Sequence, residues 1–206
     1  EAQVAALKAD QIAELAVSAI ADMTNSQMSV LKSTQIAAFT NLQVAELTAS
    51  QIGAMGAKAV SGFTAGHIAA MTDTQLAGLS EAQVASFTSG QVAALTAADI
   101  ALFTPEEVGS ISAKAISTLD PAIITALSTA QLAELQPAQI AAMSGAQIAA
   151  FNPTNIGLLT SDQIGAITAS QIKSLTSPQI QALTNSQVGA ISVKAIPGLE
   201  VGQIDT

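Results

Sequence analysis

Cysteine, tryptophan and tyrosine are absent from this chain of 206 residues, and lysine and arginine together number only six. Without cysteine, the chain can form no disulfide framework and offers no thiolate for metal binding or nucleophilic catalysis. Clusters of basic side chains, which phosphate binding requires, are also absent, so we expect no nucleic-acid partner. No apolar run reaches the roughly eighteen residues that a membrane-spanning helix needs, so we expect no membrane span.

Apolar side chains are abundant, at 50% of the sequence, whereas charged side chains make up 10%. A chain of this composition has enough apolar material to bury, which argues against disorder. Because only five residues are aromatic, the core must consist of Ile, Leu, Val, Met and Ala. Side chains of this size predict that neighbouring backbones approach closely.

A pattern of eight residues repeats along the chain without insertion or deletion,. In the octad that begins at Thr40, Gln43 is position four, Val44 is position five and Leu47 is position eight. Position five is apolar in all 26 octads, and position eight is apolar in all 25 octads that contain it. We therefore predict a single continuous octapeptide-repeat solenoid over residues 1–206, without an internal domain boundary.

Positions one, two and four indicate where each helix begins. Position one is Thr in twelve octads and Ser in five, and position four is Gln in seventeen. Thr/Ser-x-x-Gln is a capping box, in which the hydroxyl accepts from the amide three residues later and the Gln accepts from the cap amide. Prolines at position two occupy the first helical position, where their missing N–H has no cost; they are Pro105, Pro121, Pro137 and Pro153.

These signals favour a short helix in every octad. Each proline would cost roughly 3 kcal/mol inside one continuous helix, and positions five and eight do not alternate as a strand requires. The predicted fold is therefore all-α, a solenoid of about 26 very short capped helices with one helix per eight-residue repeat. Because isolated helices of this length are marginal, stability must come from stacking of successive coils.

The number of octads in one coil remains open from the sequence. The four prolines at position two recur in every second octad, which suggests two octads per coil. Phe39, Phe63 and Phe87 recur in every third octad, which suggests three. Small residues at position six, such as Gly53 and Gly109, should allow neighbouring coils to approach.

Four octads carry Ala in place of Gln at position four, and three of these place Lys58, Lys114 or Lys194 directly before it. They lack the capping box and put a cation near a helix N-terminus, where the helix dipole disfavours it. Such octads are either drift of the repeat or markers of bends or contact points along the array. Pro197, at position six of the last of them, should interrupt its helix and begin an altered C-terminal end.

Candidate reactive groups are few, and the three most prominent, His67, Asp99 and Glu107, all replace Gln at position four. Nothing adjacent to His67 can orient it as a general base. A carboxylate at this position is what a capping box and the helix dipole favour. We interpret all three as capping residues, and we predict no catalytic residue, no metal site, no cofactor and no enzyme activity.

The unit Thr-x-x-Gln-Ile-x-x-Leu, clear at residues 48–55, 160–167 and 168–175, resembles the degenerate octapeptide arrays of very large secreted and cell-surface proteins of Gram-negative bacteria. The resemblance covers the whole chain. It implies a structural repeat protein, a rod or filament segment of an extracellular or cell-surface stalk, adhesin or fibre. The alternative is a binding module whose Thr and Gln columns recognise a repetitive ligand such as glycan, ice or mineral. The competing explanation is that the Thr and Gln side chains serve only in the capping hydrogen bonds of their own helices.

Neither end of the sequence shows the polar terminal repeat that usually closes a solenoid. We therefore expect that the array continues in a longer chain or that copies associate end to end as a polymer. Such association, or contact with neighbouring repeats, is the only partnership that the sequence predicts.

Overall fold

The computed structural model of the chain describes residues 1–204, and every regular element within them is a short helix. Twenty-five α-helices of four to six residues and one 3-10 helix follow one another, one in each octad. The predicted all-α fold with one short helix per octad is confirmed. No strand occurs in this part of the chain.

The chain forms two compact units, and the first unit is Glu1–Phe103. Its helices are α1 Ala2–Ala5, α2 Ala9–Ala13, α3 Val17–Ala21, α4 Asn25–Ser29, α5 Ser33–Ile36, α6 Asn41–Ala45, α7 Ala49–Ala54, α8 Ala57–Val60, α9 Ala65–Ala70, α10 Asp73–Leu76, α11 Glu81–Ala85, α12 Ser89–Val92 and α13 Ala97–Leu102. From α2 onward, each of these helices begins just after position one of its octad.

The second unit begins at Thr104. Its helices are α14 Pro105–Ser110, α15 Ala113–Ile116, α16 Pro121–Ile124, α17 Thr129–Glu134, α18 Pro137–Ala142, α19 Gly145–Ala149, α20 Pro153–Leu158, α21 Ser161–Gly165, α22 Ala169–Ile172, α23 Ser177–Gln181, α24 Asn185–Ala190, η1 Ile196–Gly198 and α25 Val201–Ile204. The octad register of the sequence is the same in both units. That residues 1–206 form a single continuous array stays a prediction.

Within each unit, a helix packs against the third helix before it and the third helix after it. In the first unit α4 packs on α7, α5 on α8 and α6 on α9; in the second, α14 packs on α17 and α15 on α18. Three octads therefore make one coil. The spacing of Phe39, Phe63 and Phe87 reflects this coil, whereas the two-octad spacing of the prolines does not.

The start and end of each helix follow from positions one and eight, as α7 illustrates. Thr48 is extended, with φ −78° and ψ 154°, and its hydroxyl accepts a hydrogen bond from the Gln51 amide at 3.2 Å. The Gln51 side chain accepts in turn from the Thr48 amide at 2.7 Å. At the other end Met55 is again extended, so the chain leaves the helix and enters the next cap. The predicted capping box is confirmed here and in most other octads.

Prolines stand where the sequence predicted them. The four at position two are each the first residue of a helix, in α14, α16, α18 and α20. Pro197 lies in the short 3-10 helix η1, which takes the place of the expected α-helix and confirms the predicted interruption near the C-terminal end.

The core of both units consists of the apolar side chains at positions five and eight. In the octad of α7, Ile52 is completely buried and Met55 is 3% exposed. Positions one, three and six mostly face outward, whereas Gln51, at position four of this octad, is buried together with Ile52 and Met55. Burial of a large aliphatic side chain contributes roughly 1.5–3 kcal/mol, which is why stacked coils can hold helices that would be unstable alone.

Glycine at position six lets neighbouring coils approach closely, as the sequence predicts. A Cβ atom on Gly109 would lie 2.7 Å from the carbonyl oxygen of Glu134, and one on Gly165 would lie 3.2 Å from that of Ala190. In both pairs the partner lies one coil further along the chain. A larger side chain at either position would push the two coils apart.

Candidate functional site

The glutamines at position four form the most regular set of specific interactions in the molecule. Fourteen of the seventeen are buried: Gln35, Gln43, Gln51, Gln75, Gln83, Gln91, Gln131, Gln139, Gln147, Gln163, Gln171, Gln179, Gln187 and Gln203. A polar side chain in this setting must have its hydrogen bonds satisfied by protein partners. Within residues 1–204, no buried side-chain nitrogen or oxygen lacks such a partner.

Gln83 shows how one side chain serves two coils. Its Oε1 accepts from the amide of Ser80 at 2.9 Å, which caps its own helix, α11. Its Nε2 donates to the carbonyl oxygens of Ile52 and Met55, each at 2.8 Å. These two carbonyls lie at the end of α7; that of Ile52 also accepts from the Met55 amide, since a carbonyl oxygen has lone pairs for two donors,. The glutamine thus joins the start of one helix to the end of another in the coil below.

The same connection recurs in both units with the same offsets along the chain. The Nε2 atom donates to carbonyls 28 and 31 residues earlier at Gln35, Gln43, Gln75, Gln139, Gln147, Gln163, Gln171, Gln187 and Gln203. We call these interactions the glutamine ladder. Within each unit it links successive coils through side chain and main chain together.

The ladder was missed from the sequence, although a signal for it exists. Glutamate and glutamine serve a capping box equally well, yet position four holds seventeen glutamines and one glutamate, Glu107. Capping alone does not require that preference. Glutamine is required where the same side chain must also donate a hydrogen bond, because the carboxamide has N–H groups and the carboxylate has none.

His67 takes the place of a ladder glutamine in the first unit. Its Nδ1 lies 3.1 Å from the backbone amide of Thr64, and its Nε2 lies 2.7 Å from the carbonyl oxygen of Phe39. Since the amide can only donate, Nδ1 must be the acceptor and Nε2 must carry the hydrogen. The neutral ring therefore reproduces the cap bond of a glutamine and one of its two bonds to the coil below, which supports its interpretation as a capping residue.

The environment of His67 opposes its protonation. Burial lowers the pKa of His67 below its ordinary value of 6.5, and the hydrogen bond to Phe39 offsets only part of this effect. The ring is 3% exposed and meets the edge of Phe63 at a centroid distance of 6.0 Å. A proton on Nδ1 would face the Thr64 amide, so two donors would oppose each other.

Asp99 and Glu107 also act at the cap of their own helices. Asp99 Oδ2 accepts from the Thr96 amide at 2.7 Å and from the Thr96 hydroxyl at 2.8 Å. Glu107 Oε2 accepts from the Thr104 amide at 2.8 Å. The two carboxylates belong to different units. Within residues 1–204, no group of three or more acidic or histidine side chains is placed to hold a metal ion, and none of the helices is long and apolar enough to cross a membrane.

The threonines at position one remain at the surface. Thr24, Thr48, Thr72 and Thr96 are exposed and follow one another at intervals of one coil in the first unit. Their hydroxyls accept from the amides of position four, at 3.2 Å for Thr48. The sequence suggested that columns of Thr and Gln could recognise a repetitive ligand. Because the glutamines are buried, only the threonines are available at the surface for such a role.

The geometry described above belongs to a repeat protein, and a comparison with known families agrees. Residues 132–169 match the ALTTAQ repeat family. The letters ALTTAQ, read as residues, give Ala and Leu at positions seven and eight of one octad. They are followed by Thr, Thr, Ala and Gln at positions one to four of the next octad. Residues 126–131, with the sequence Ala-Leu-Ser-Thr-Ala-Gln, differ from it at one position. The match covers nearly five octads within the second unit. No curated protein matches the chain.

Proposed function

We propose that this protein is a structural element, a stiff rod or filament segment whose function lies in its length and its repetitive surface. The observation that carries the proposal is the glutamine ladder. The ladder glutamines satisfy polar groups of two coils at once, so sliding or tilting one coil on the next would leave several buried groups unpaired. Leaving such a group unpaired costs about 1–3 kcal/mol each, which favours a rigid stack over a flexible one.

The chemistry of position four further supports a passive role. His67, Asp99 and Glu107 each use a polar side-chain atom to accept the amide hydrogen bond at the cap of their own helix. We therefore propose that the protein is not an enzyme. From the resemblance to octapeptide arrays, we also propose that it lies outside the cell or at the cell surface, in a stalk, adhesin or fibre.

The test of the rod is the relation between chain length and particle length. Deletion of residues 49–72 removes one coil and keeps the octad register, so electron microscopy and small-angle scattering should show a shorter particle of unchanged width. Deletion of residues 49–60, one and a half octads, is the matched control and should disrupt the fold. A flexible, bead-like ensemble of the intact protein would contradict the proposal.

End-to-end association of copies is the partnership that this role would use. A stack that joins coils through amide donors and carbonyl acceptors can extend in the same way from copy to copy. Electron microscopy over a range of protein concentrations tests this part separately. Filaments that lengthen with concentration support it, whereas uniform short particles at all concentrations oppose it and leave the rod proposal intact.

A second candidate function is recognition of a repetitive ligand, such as glycan, ice or mineral, by the exposed threonines. The one-coil spacing of Thr48, Thr72 and Thr96 favours it. Replacement of these three by serine keeps the hydroxyl caps and removes the methyl groups. Loss of ligand binding with unchanged circular dichroism supports recognition by the threonines, and unchanged binding counts against it.

A further inference from the structure

A groove of about 350 Å³ opens on the first unit where the glutamine ladder is interrupted. It is lined by Leu31, Lys32, Ser33, Gly56, Lys58 and Ala59. Its two walls belong to octads one coil apart, because α8 packs on α5. The groove is thus a local opening between two coils that are closely joined elsewhere.

The groove exists because two small residues replace larger ones. Ala59 stands at position four, where a glutamine would send its amide into the space between the coils. Gly56 stands at position one, and a Cβ atom on it would meet no heavy atom within 4 Å. Ladder glutamines donate to the carbonyl 28 residues earlier, so a glutamine at position 59 would donate to the carbonyl of Leu31. That oxygen accepts no hydrogen bond within the part of the chain that the structure describes.

The charge at this groove is opposite to that of the chain as a whole. The chain carries a net charge of −9, yet residues 23–72 contain two lysines, Lys32 and Lys58, and one acidic residue, Glu46. Both lysines are exposed. The ion pair found in residues 1–204 joins Lys173 to Glu200, so neither lysine of the groove is neutralised by a described ion pair.

We propose that this groove binds a uronic acid, a sugar that carries a carboxylate, either free or as a residue of an acidic polysaccharide. The two ammonium groups would hold the carboxylate through charge-assisted hydrogen bonds. A hydroxyl of the sugar would donate to the carbonyl of Leu31, in place of the missing glutamine. A fully ionised inorganic anion such as sulfate has no donor for that carbonyl, which is why a hydroxylated acid fits better. The inference does not depend on the structural role proposed above.

Lys-Ala also occurs at Lys114 and at Lys194, but the residue 24 positions before position one is Thr88 or Thr168 in those octads, not lysine. The pair of lysines on facing octads is therefore lacking there. Lys194 is exposed, as the lysines of the groove are, and it provides a matched control.

Binding is measured on the full chain by isothermal titration calorimetry with sodium glucuronate at low salt. Saturable binding is expected, and the Lys32→Gln, Lys58→Gln double variant should weaken it tenfold or more, whereas Lys194→Gln should leave it unchanged. Ala59→Gln should also weaken binding tenfold or more, because the new side chain fills the groove. Circular dichroism and thermal unfolding confirm that each variant is folded.

Two further titrations test the chemistry of the ligand. Neutral glucose should bind at least tenfold more weakly than glucuronate, and so should sulfate. Oligomers of a uronic acid that bind more tightly than the monomer identify a polysaccharide as the source, and equal affinity identifies the free acid. The proposal is overturned if wild-type protein does not bind glucuronate, if glucose or sulfate binds equally well, or if the lysine or Ala59 variants bind as wild type does.

Discussion

The side-chain amide of Gln83 donates a hydrogen bond of 2.8 Å to the main-chain carbonyl of Ile52, 31 residues earlier. The same side chain accepts from the amide of Ser80. One residue therefore caps a helix and fastens it to the coil below. This double use explains why the acceptor and the donor of a carboxamide are both needed at position four.

Replacement of Gln83 by glutamate should destabilise the protein by about 2–3 kcal/mol. The carboxylate keeps the cap but turns an acceptor toward the carbonyls of Ile52 and Met55, where a donor is required. Urea unfolding followed by circular dichroism measures the loss. Gln11→Glu is the matched control: Gln11 is exposed and accepts from the Lys8 amide alone. A loss at Gln11 as large as that at Gln83 would show that the bonds to the coil below contribute nothing.

Stability should depend on pH through His67. Because burial lowers the pKa of His67 below 6.5, the unfolded chain takes up a proton more readily than the folded chain. The contribution of His67 is therefore complete above pH 6.5 and is lost as the pH falls from 6.5 toward the lowered value,. Urea unfolding between about pH 5 and pH 8 measures this change.

His67→Gln restores the usual residue of the ladder and provides the reference for that experiment. The variant should lose the part of the pH dependence that lies below pH 6.5, since glutamine does not titrate. Carboxylates affect both proteins equally and cancel in the difference. Identical pH profiles for the two proteins would refute a coupling between His67 protonation and folding.

Asp99→Gln should stabilise the protein by about 1 kcal/mol, because it adds a donor where the ladder lacks one. By the two offsets of the ladder, the new Nε2 would reach the carbonyls of Ile68 and Met71. Thermal unfolding measures the gain. Asp73→Gln removes the same charge from an exposed position in the first turn of α10, and it should give no gain. Equal gains for both variants would assign the effect to charge instead.

Gly109→Ala should destabilise the second unit, because the added methyl group would lie 2.7 Å from the Glu134 carbonyl oxygen. The cost of such overpacking is about 1–3 kcal/mol. Gly189 occupies the same octad position, and its Cβ would meet no atom within 4 Å. Gly189→Ala should therefore be neutral or stabilising by up to about 1 kcal/mol. Thermal unfolding of both variants distinguishes close coil contact from a general preference for glycine at position six.

Local signals in the sequence were sufficient to predict the helices but not their stacking. Thr48 and Gln51 define a cap within four residues, and Pro105 marks a first helical position, so each octad could be assigned to a helix. The number of octads per coil depends on contacts between octads that are distant in the sequence, for which the prolines and phenylalanines gave conflicting spacings. The preference for glutamine over glutamate indicated a donor, but the acceptors of Gln83 could not be predicted, because they are main-chain carbonyls, which every residue has.

A three-octad coil has a consequence for how such genes can change length. Loss or duplication of one octad by slippage lets the remaining caps and ladder glutamines find acceptors, because every octad offers main-chain carbonyls at the same positions. It nevertheless moves all later octads to the adjacent side of the coil. Surface features such as the line of Thr24, Thr48, Thr72 and Thr96 would be broken by that step. Only changes in multiples of three octads keep both the fold and the pattern that the surface presents.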